Sequence, residues 1–362
     1  MEQADTTSTK VLAPTESRVM VDAFLTPLLA QLTENARRIS PHYETLWQDI
    51  QKLYSAGGKR LRSYMTLLTY EAFSKKPPEI VLPAAAAAEL IHMAMLVHDD
   101  IIDRDDVRYG TKNVTGEYLI HYEELIDDET NRRHYANSAA ILAGDLLISE
   151  AYILMTETKT NPAAIVATQR LIAKAMFHVI AGELLDTEAS FRGKDATDPL
   201  VIAEEKTASY SFVSPFLIGA TLAEASSAQQ EILQKLGEQL GIGYQLRDDL
   251  LGIFGDKQRT GKSTDGDIKE GKQTLLVKEF NATATEAQQQ EFHSLFGQQD
   301  ISAEAIQRIK SLLIESGAKE SVETQIDAFQ EYAHTLVASL DIDTWHRHAF
   351  NLLIDLCLKR DK

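Results

Sequence analysis

Cysteine is almost absent: Cys357 is the only one in 362 residues. One thiol excludes an intrachain disulfide and a thiolate metal cluster, and it suits a reducing, cytoplasmic setting. Basic residues are also in short supply, with 36 Lys+Arg against 54 Asp+Glu and a formal charge of -18. Holding a nucleic acid backbone requires a surplus of basic contacts, so no nucleic acid partner is expected. Anionic lipid headgroups are disfavoured for the same reason. Long apolar runs are missing too. The most apolar stretch, Val81 to Val97, is interrupted by Glu89 and His92 and is shorter than the roughly 20 apolar residues a bilayer span needs. It reads as a buried helix, and no transmembrane segment is expected. The N-terminus MEQADTTSTK lacks a basic region followed by an apolar block, so residues 1–17 read as a flexible tail and not a secretory signal.

Strand signatures are lacking as well, since no alternating run of Val, Ile and Thr bounded by turn pairs occurs. Only nine prolines are present, and most stand where a helix would start: Pro41, Pro77, Pro78, Pro83, Pro162 and Pro199. Between them lie segments rich in Ala, Leu, Glu, Gln and Lys with apolar residues three and four apart, such as Leu233, Leu236 and Leu240. These patterns predict helices over 18–38, 43–54, 60–74, 83–104, 136–158, 163–189, 199–224, 228–254, 272–281, 285–297, 302–338 with a break near Gly317, and 343–359. The expected fold is all-α, a single domain over 18–362 built from about a dozen helices. Two long irregular pieces remain, Arg108 to Arg133 and Gly255 to Gly271, and loops of that length in a compact domain are usually functional.

The strongest chemical signal closes the apolar helix 83–104, where the chain reads His98-Asp99-Asp100-Ile101-Ile102-Asp103. Asp99 and Asp103 are four residues apart, so both carboxylates project from one face, one turn apart. Such a cluster can be no more than a solvated acidic helix end. More Asp at a helix C-terminus is electrostatically unfavourable, however, and that cost argues for a cation between the carboxylates. A second pair, Asp248-Asp249, follows Gln245, which shares the face of Asp248. Two carboxylate clusters converging across a bundle could hold hard divalent ions through oxygen ligands, and Mg²⁺ takes its remaining ligands from water and substrate phosphate. A phosphate or diphosphate substrate is implied.

Cations complete the pattern. Gly57-Gly58-Lys59-Arg60-Leu61-Arg62 places two glycines before a helix start and then three positive charges, a layout in which backbone N–H groups, helix dipole and side chains can face one anion. Read by itself, it could equally be a surface turn with a basic helix start. Lys206-Thr207 sits inside an otherwise apolar helix, and a cationic loop runs from Thr260-Gly261-Lys262 through Lys269 to Lys272.

Taken together and in this order, these segments resemble the trans-type isoprenyl diphosphate synthases, the polyprenyl synthetases, from about Tyr54 to the C-terminus. GGKRLR resembles that family's homoallylic diphosphate site, HDDIID its first Asp-rich motif, and YQLRDDLLGIFGD with TGKSTDGDIKEGK its second. The resemblance implies a bundle of mostly antiparallel helices around a deep central cavity, and a homodimer. It implies that Asp99, Asp103 and Asp248, supported by Asp100 and Asp249, hold up to three Mg²⁺ ions against the diphosphate of an allylic substrate. Arg108, Lys206, Thr207, Gln245, Lys262 and Lys272 would hold that diphosphate. Lys59, Arg62 and His92 would hold isopentenyl diphosphate, with Tyr244 near its isopentenyl group. Taken alone, His92 reads as a core histidine and Tyr244 as a core aromatic.

Two departures stand out. Arg108-Tyr109-Gly110 occupies a place where the family commonly has two arginines before glycine, which weakens isopentenyl diphosphate binding unless Arg60 compensates. Gly252 stands where many relatives carry a third Asp, with Asp256 one turn too far on, so Asp248 is expected to suffice as ligand. The segment Glu117 to Arg133 is longer than the family requires and has no assigned role.

A class I terpene cyclase would share the helical fold and the first Asp motif, but it has no need of a second diphosphate site such as GGKRLR. A non-catalytic subunit typically has degraded Asp motifs, whereas both pairs are present here. Product length is read from the helix that ends at Asp99. Met95 and Ala94 stand four and five positions before it, Ile91 and the run Ala84 to Ala88 lie deeper, and no aromatic ring interrupts them. An open passage and a product of C20 or longer are expected, although five alanines could also simply let another helix pack closely.

Overall fold

The computed structural model describes residues 11–255 and 265–359. Its first four helices are α1 (Pro14–Arg37), α2 (Pro41–Ala56), α3 (Leu61–Ser74) and α4 (Leu82–Ile102). A two-residue hairpin, β1 (Val107–Arg108) and β2 (Thr111–Lys112), leads into α5 (Val114–His121), α6 (Glu129–Glu157) and α7 (Pro162–Arg192). Then α8 (Pro199–Ile202), a π-helical segment (Ala203–Val213) and α9 (Ser214–Leu222) run on as one rod. The chain closes with α10 (Ser227–Phe254), α11 (Gly266–Glu270), α12 (Leu275–Thr283), α13 (Glu286–Leu295), α14 (Ala303–Glu315), α15 (Ala318–Ala338) and α16 (Thr344–Leu358). The break expected near Gly317 is there, and Gly317 takes φ 81° to make it.

Local chemistry explains the helix starts. Pro41, Pro162 and Pro199 occupy first helical positions, where a missing N–H costs nothing. The residues before them, Ser40, Asn161 and Asp198, cap the following amides with side-chain oxygens.

The segment Arg108 to Arg133 differs from its expectation as an irregular loop. It contains the hairpin and α5, and α6 begins at Glu129, seven residues before the expected 136, because Asp128 caps Asn131. At eight residues α5 is too short to display a period, and the first turns of α6, Glu129 to His134, hold no apolar residue, so periodicity alone misses both.

α4 is the buried axis, packed by α3, α6 and α9. Ala84 to Ala87 are fully buried, and α6 answers with Ala136, Ala140, Ala143 and Leu147, equally buried. Small residues on both helices permit that close approach. By length and composition three helices, Pro78–Ile102, Glu129–Glu157 and Pro162–Arg192, are apolar enough to cross a membrane, so the length argument made for Val81 to Val97 does not extend to them. The apolar window of the first is 61% buried inside the fold, whereas α7 leaves Phe177, Ile180 and Leu184 exposed.

Candidate active site

α4 ends at Ile102, yet the Asp103 amide still donates to the Asp99 carbonyl at 2.8 Å, which keeps Asp103 on the turn beside Asp99. Oxygens of these two carboxylates and of Glu183 on α7 lie within 4.8 Å of one another. Three oxygen donors at that spacing suit a hard divalent cation. Glu183 and its neighbour Asp186 were not anticipated. Their signal was available in Gly182-Glu183-Leu184-Leu185-Asp186, two carboxylates one turn apart on an apolar helix.

Lys206 joins the cluster from the π-helical segment. Its Nζ stands 2.7 Å from Asp186 Oδ2, 2.9 Å from Glu183 Oε2 and 3.4 Å from Asp99 Oδ1. A glycine makes this approach feasible: a Cβ on Gly182 would lie 2.2 Å from the Lys206 backbone nitrogen. The π-helical turns carry Lys206, Thr207, Tyr210 and Ser211, and π turns of this kind are frequent at functional sites. Thr207 Oγ1 donates to Gln245 Oε1 at 2.6 Å, and Gln245 Nε2 donates to Asp249 Oδ1 at 2.8 Å. This relay ties α10 to the cluster.

Arg108, at the start of the hairpin, donates through Nε to Asp100 Oδ1 at 2.7 Å and through Nη2 to Asp99 Oδ2 at 3.1 Å. Lys272 Nζ lies 3.7 Å from Asp186 Oδ2. Burial pushes Asp249 and Glu183 up to about 7 and Asp100 up to about 6. Asp103 is raised by burial and by the nearby Asp99 charge. For Lys206 and Lys272 burial opposes the charge, but their carboxylate neighbours, Asp186 foremost, override it and hold both above the ordinary lysine range.

The glycine-rich segment reaches the same π-helical turns. Arg62 Nη2 donates to Ser211 Oγ at 2.7 Å, leaving its buried Nε without a partner. His92 Nδ1 is 3.3 Å from the Tyr210 hydroxyl; burial first, then the nearby Arg62, Arg108 and Arg60 charges, hold it well below the usual histidine range and therefore neutral. Lys59 is exposed on the loop leading into α3. Arg60 does not share this role. In a left-handed conformation (φ 53°), it turns inward to Asp22 Oδ1 and to the Tyr54 and Gly57 carbonyls. With its donors committed to the protein, it cannot compensate for the residue that Tyr109 replaces. Tyr109 itself packs on the glycine-rich loop, since a Cβ on Gly57 would meet its ring at 3.0 Å. Tyr244 lies against Phe212, ring centroids 5.2 Å apart.

The gap at Gly252 is filled from elsewhere: a Cβ there would lie 2.4 Å from Asp267 Oδ2, so the Asp267 carboxylate stands where a side chain at 252 would. Asp248 belongs to α10 one turn before Gly252. Lys262 and Asp256 lie outside the described residues. Met95 and Ile91 share the Asp99 stripe of α4, and Ile91 lines a small apolar void with Ala88, Ile172, Tyr210 and Ile218. Ala94 is fully buried and lies one turn before His98, which meets the Ile141 carbonyl of α6 at 3.2 Å.

The polyprenyl synthetase family model matches residues 44–313. A short chain isoprenyl diphosphate synthase of Methanocaldococcus jannaschii is 31% identical over 286 residues, spanning 79% of this chain and 81% of that protein. A geranylfarnesyl diphosphate synthase of Aeropyrum pernix is 30% identical and spans 86% of this chain and 92% of its own. Among solved structures, a geranylgeranyl pyrophosphate synthase from Corynebacterium glutamicum, complexed with isoprenyl diphosphate and magnesium, superposes with a TM-score of 0.86 at 28% identity, covering 96% of this chain and 98% of that one. The helical bundle, the facing carboxylates and these matches agree, and the chain belongs to the polyprenyl synthetase family of prenyltransferases.

Proposed function

We propose that the protein condenses an allylic diphosphate with isopentenyl diphosphate, head to tail, to an all-trans polyprenyl diphosphate of C20 or longer. One observation carries the reading: carboxylates from α4 and α7 and the cations Arg108, Lys206 and Lys272 form a single network, tied through Gln245 to a second carboxylate pair on α10.

The donor set fits Mg²⁺, because Asp99, Asp103 and Glu183 offer only oxygen. With Asp100, Asp248 and Asp249 in support, up to three ions would be held. Bound Mg²⁺ would neutralise charge on the departing diphosphate. The protein's own part is placement. Arg108, Lys206, Thr207, Gln245, Lys262 and Lys272 grip the allylic diphosphate, so its C–O bond breaks toward a ring of fixed positive charge. Arg62, Lys59 and a neutral His92, a donor without charge, orient isopentenyl diphosphate so that its double bond attacks the allylic cation. The departed diphosphate takes the proton that restores the alkene. Aliphatic walls, the buried Ile91 and Ala88 and the partly buried Met95 among them, exclude the water that would quench the cation.

The same reading includes a homodimer, supported by the apolar side chains Ile141, Leu142, Phe177, Ile180 and Leu184 exposed along α6 and α7. It also includes a cytoplasmic location, with which a single buried thiol agrees. The test is incubation of the purified chain with Mg²⁺, farnesyl diphosphate and labelled isopentenyl diphosphate, resolving products by chain length. Labelled C20 or longer product that disappears with chelator is expected; absence of any condensation would refute the reading, and failure to extend beyond C15 would refute the length.

A further inference from the structure

A second convergence of ligand atoms lies outside that network, where α5 packs on α2. Oxygens of Asp49 and Glu117 and a ring nitrogen of His121 lie within 4.8 Å of one another. Asp49 is 6% exposed and Glu117 8%, so neither carboxylate is solvated as a surface acid would be. His121 Nε2 is 3.3 Å from Asp49 Oδ1 and equally 3.3 Å from Oδ2. Only Oδ1 meets hydrogen-bond geometry, which leaves Oδ2 buried, facing the imidazole, and without a hydrogen-bond partner. Two buried carboxylates turned on one point repel one another unless a cation sits among them, and His121 relieves this only through one hydrogen bond, to Asp49 Oδ1. Burial pushes Asp49 up to about 6, although His121 and Lys52 act the other way, with the Glu117 charge adding to the rise. Lys52 answers only part of this demand: it pairs with Glu117 Oε1, but its side chain is 53% exposed and can swing into solvent.

We propose that Asp49, Glu117 and His121 form a second divalent-cation site, for a borderline transition ion of the Zn²⁺ class, which ties α5 to α2. One nitrogen and two oxygen donors match Zn²⁺ or its neighbours better than Mg²⁺, which takes oxygen alone, and three protein ligands leave a position for water. The half-exposed His121 edge provides the entry path. The site gives a role to the start of the 117–133 segment: α5 would be stapled to the helix whose C-terminal end leads into Gly57-Gly58.

The experiment uses metal-free full-length protein carrying Asp99→Ala and Asp103→Ala, which removes carboxylates of the catalytic network, titrated with Co²⁺ as an optical probe and then with Zn²⁺ as competitor. About one equivalent of Co²⁺ with a visible ligand-field band, displaced by Zn²⁺, is expected. Adding His121→Ala should weaken binding at least tenfold, and Asp49→Asn should do the same. Lys52→Met should tighten it, because the competing ammonium is gone. Zn²⁺ should raise the Tm of the Asp99→Ala, Asp103→Ala protein and not of the same protein carrying His121→Ala. No equivalent bound, or one unaffected by His121→Ala and Asp49→Asn, overturns the proposal. Weaker binding in Lys52→Met would overturn it too, by making Lys52 part of a plain ion-pair cluster.

Discussion

Gly182→Ala tests whether the close approach of α7 to the π-helical segment sets the geometry of the charge cluster. The added Cβ would lie 2.2 Å from the Lys206 nitrogen, 2.5 Å from its Cα and 2.7 Å from the Glu205 carbonyl carbon. All three are backbone atoms, so no side chain can rotate away to make room. Restoring ordinary contact of 3.4 Å requires the two segments to part by about 1.2 Å. Overpacking of this kind costs about 1–3 kcal/mol. With an unfolding entropy of about 2.1 cal/mol/K per residue over 362 residues, that cost lowers Tm by only about 1–4 °C, and the protein should remain folded. The effect on rate is larger in proportion. Gly182 precedes Glu183 directly, and its obstacle is the backbone of Lys206, so the displacement falls on a 2.9 Å contact within the cluster. A misplacement of about 1 Å can cost about a hundredfold, which is about 2.7 kcal/mol of barrier. The assay pairs steady-state condensation rates with thermal unfolding of the same preparation. A variant that melts a few degrees lower but keeps kcat within about threefold of the parent refutes the reasoning, because the glycine would then serve packing and not the site.

Further outcomes follow from the same geometry. Asp99→Ala, Asp103→Ala and Asp248→Ala should each lower turnover by several orders of magnitude with little change in Tm, and retention of more than about a tenth of activity, under ~1.4 kcal/mol, would sink their role as metal ligands. Because Asp249 and Glu183 are raised to about 7, they carry protons in mildly acidic solution that a metal ion must displace, so the Mg²⁺ concentration for half-maximal rate should fall as pH rises from 6 to 8; a flat dependence would contradict it. Asp267→Ala should impair catalysis, and adding Gly252→Asp should restore part of it by returning a carboxylate to the same space; a double variant no better than the single one refutes that equivalence. Ala94→Phe should shorten the product without abolishing the first condensation, and an unchanged product distribution would remove Ala94 from the account of length.

How far the sequence could be read depended on whether a feature is local. Asp99 and Asp103 are legible because an α-helix converts a spacing of four into one face, and the helix from 83 onward is plain from its apolar run and Pro83. Two helices that flank the site were equally legible, α7 from the Asn161 cap, Pro162 and a 3.6 period, and α10 from the Ser226 cap and its Leu233, Leu236 and Leu240 spacing. Glu183 and Asp186 carry a local signal too, two acids one turn apart on α7, but what separates a site from a solvated face there is Lys206, 20 residues beyond Asp186 and folded against it. For Arg60 the sequence left the matter open for a related reason: the three cations of Lys59-Arg60-Leu61-Arg62 look alike in sequence, and only the left-handed turn at φ 53° sends one of them inward to Asp22. The carboxylate missing at Gly252 is restored by Asp267, fifteen residues later, through a contact between α10 and α11 that no periodicity announces.

At rest the cations of the cluster are held by its carboxylates, and this shapes how it binds. Lys206 is surrounded by Asp186, Glu183 and Asp99, while Arg108 spans Asp99 and Asp100. Removing one member of such a buried set leaves its partner's charge uncompensated, which is costly. A diphosphate arriving alone would draw Lys206 and Arg108 away from their carboxylates, and a metal ion arriving alone would compete with those cations for the same oxygens. When both arrive, each protein charge exchanges one partner for another: carboxylates turn to the metal, cations to the phosphate, and no charge is left bare. On the proposed reading, metal and allylic diphosphate would therefore bind with positive coupling, and that coupling would keep the ionising machinery unassembled until a substrate is present to use it.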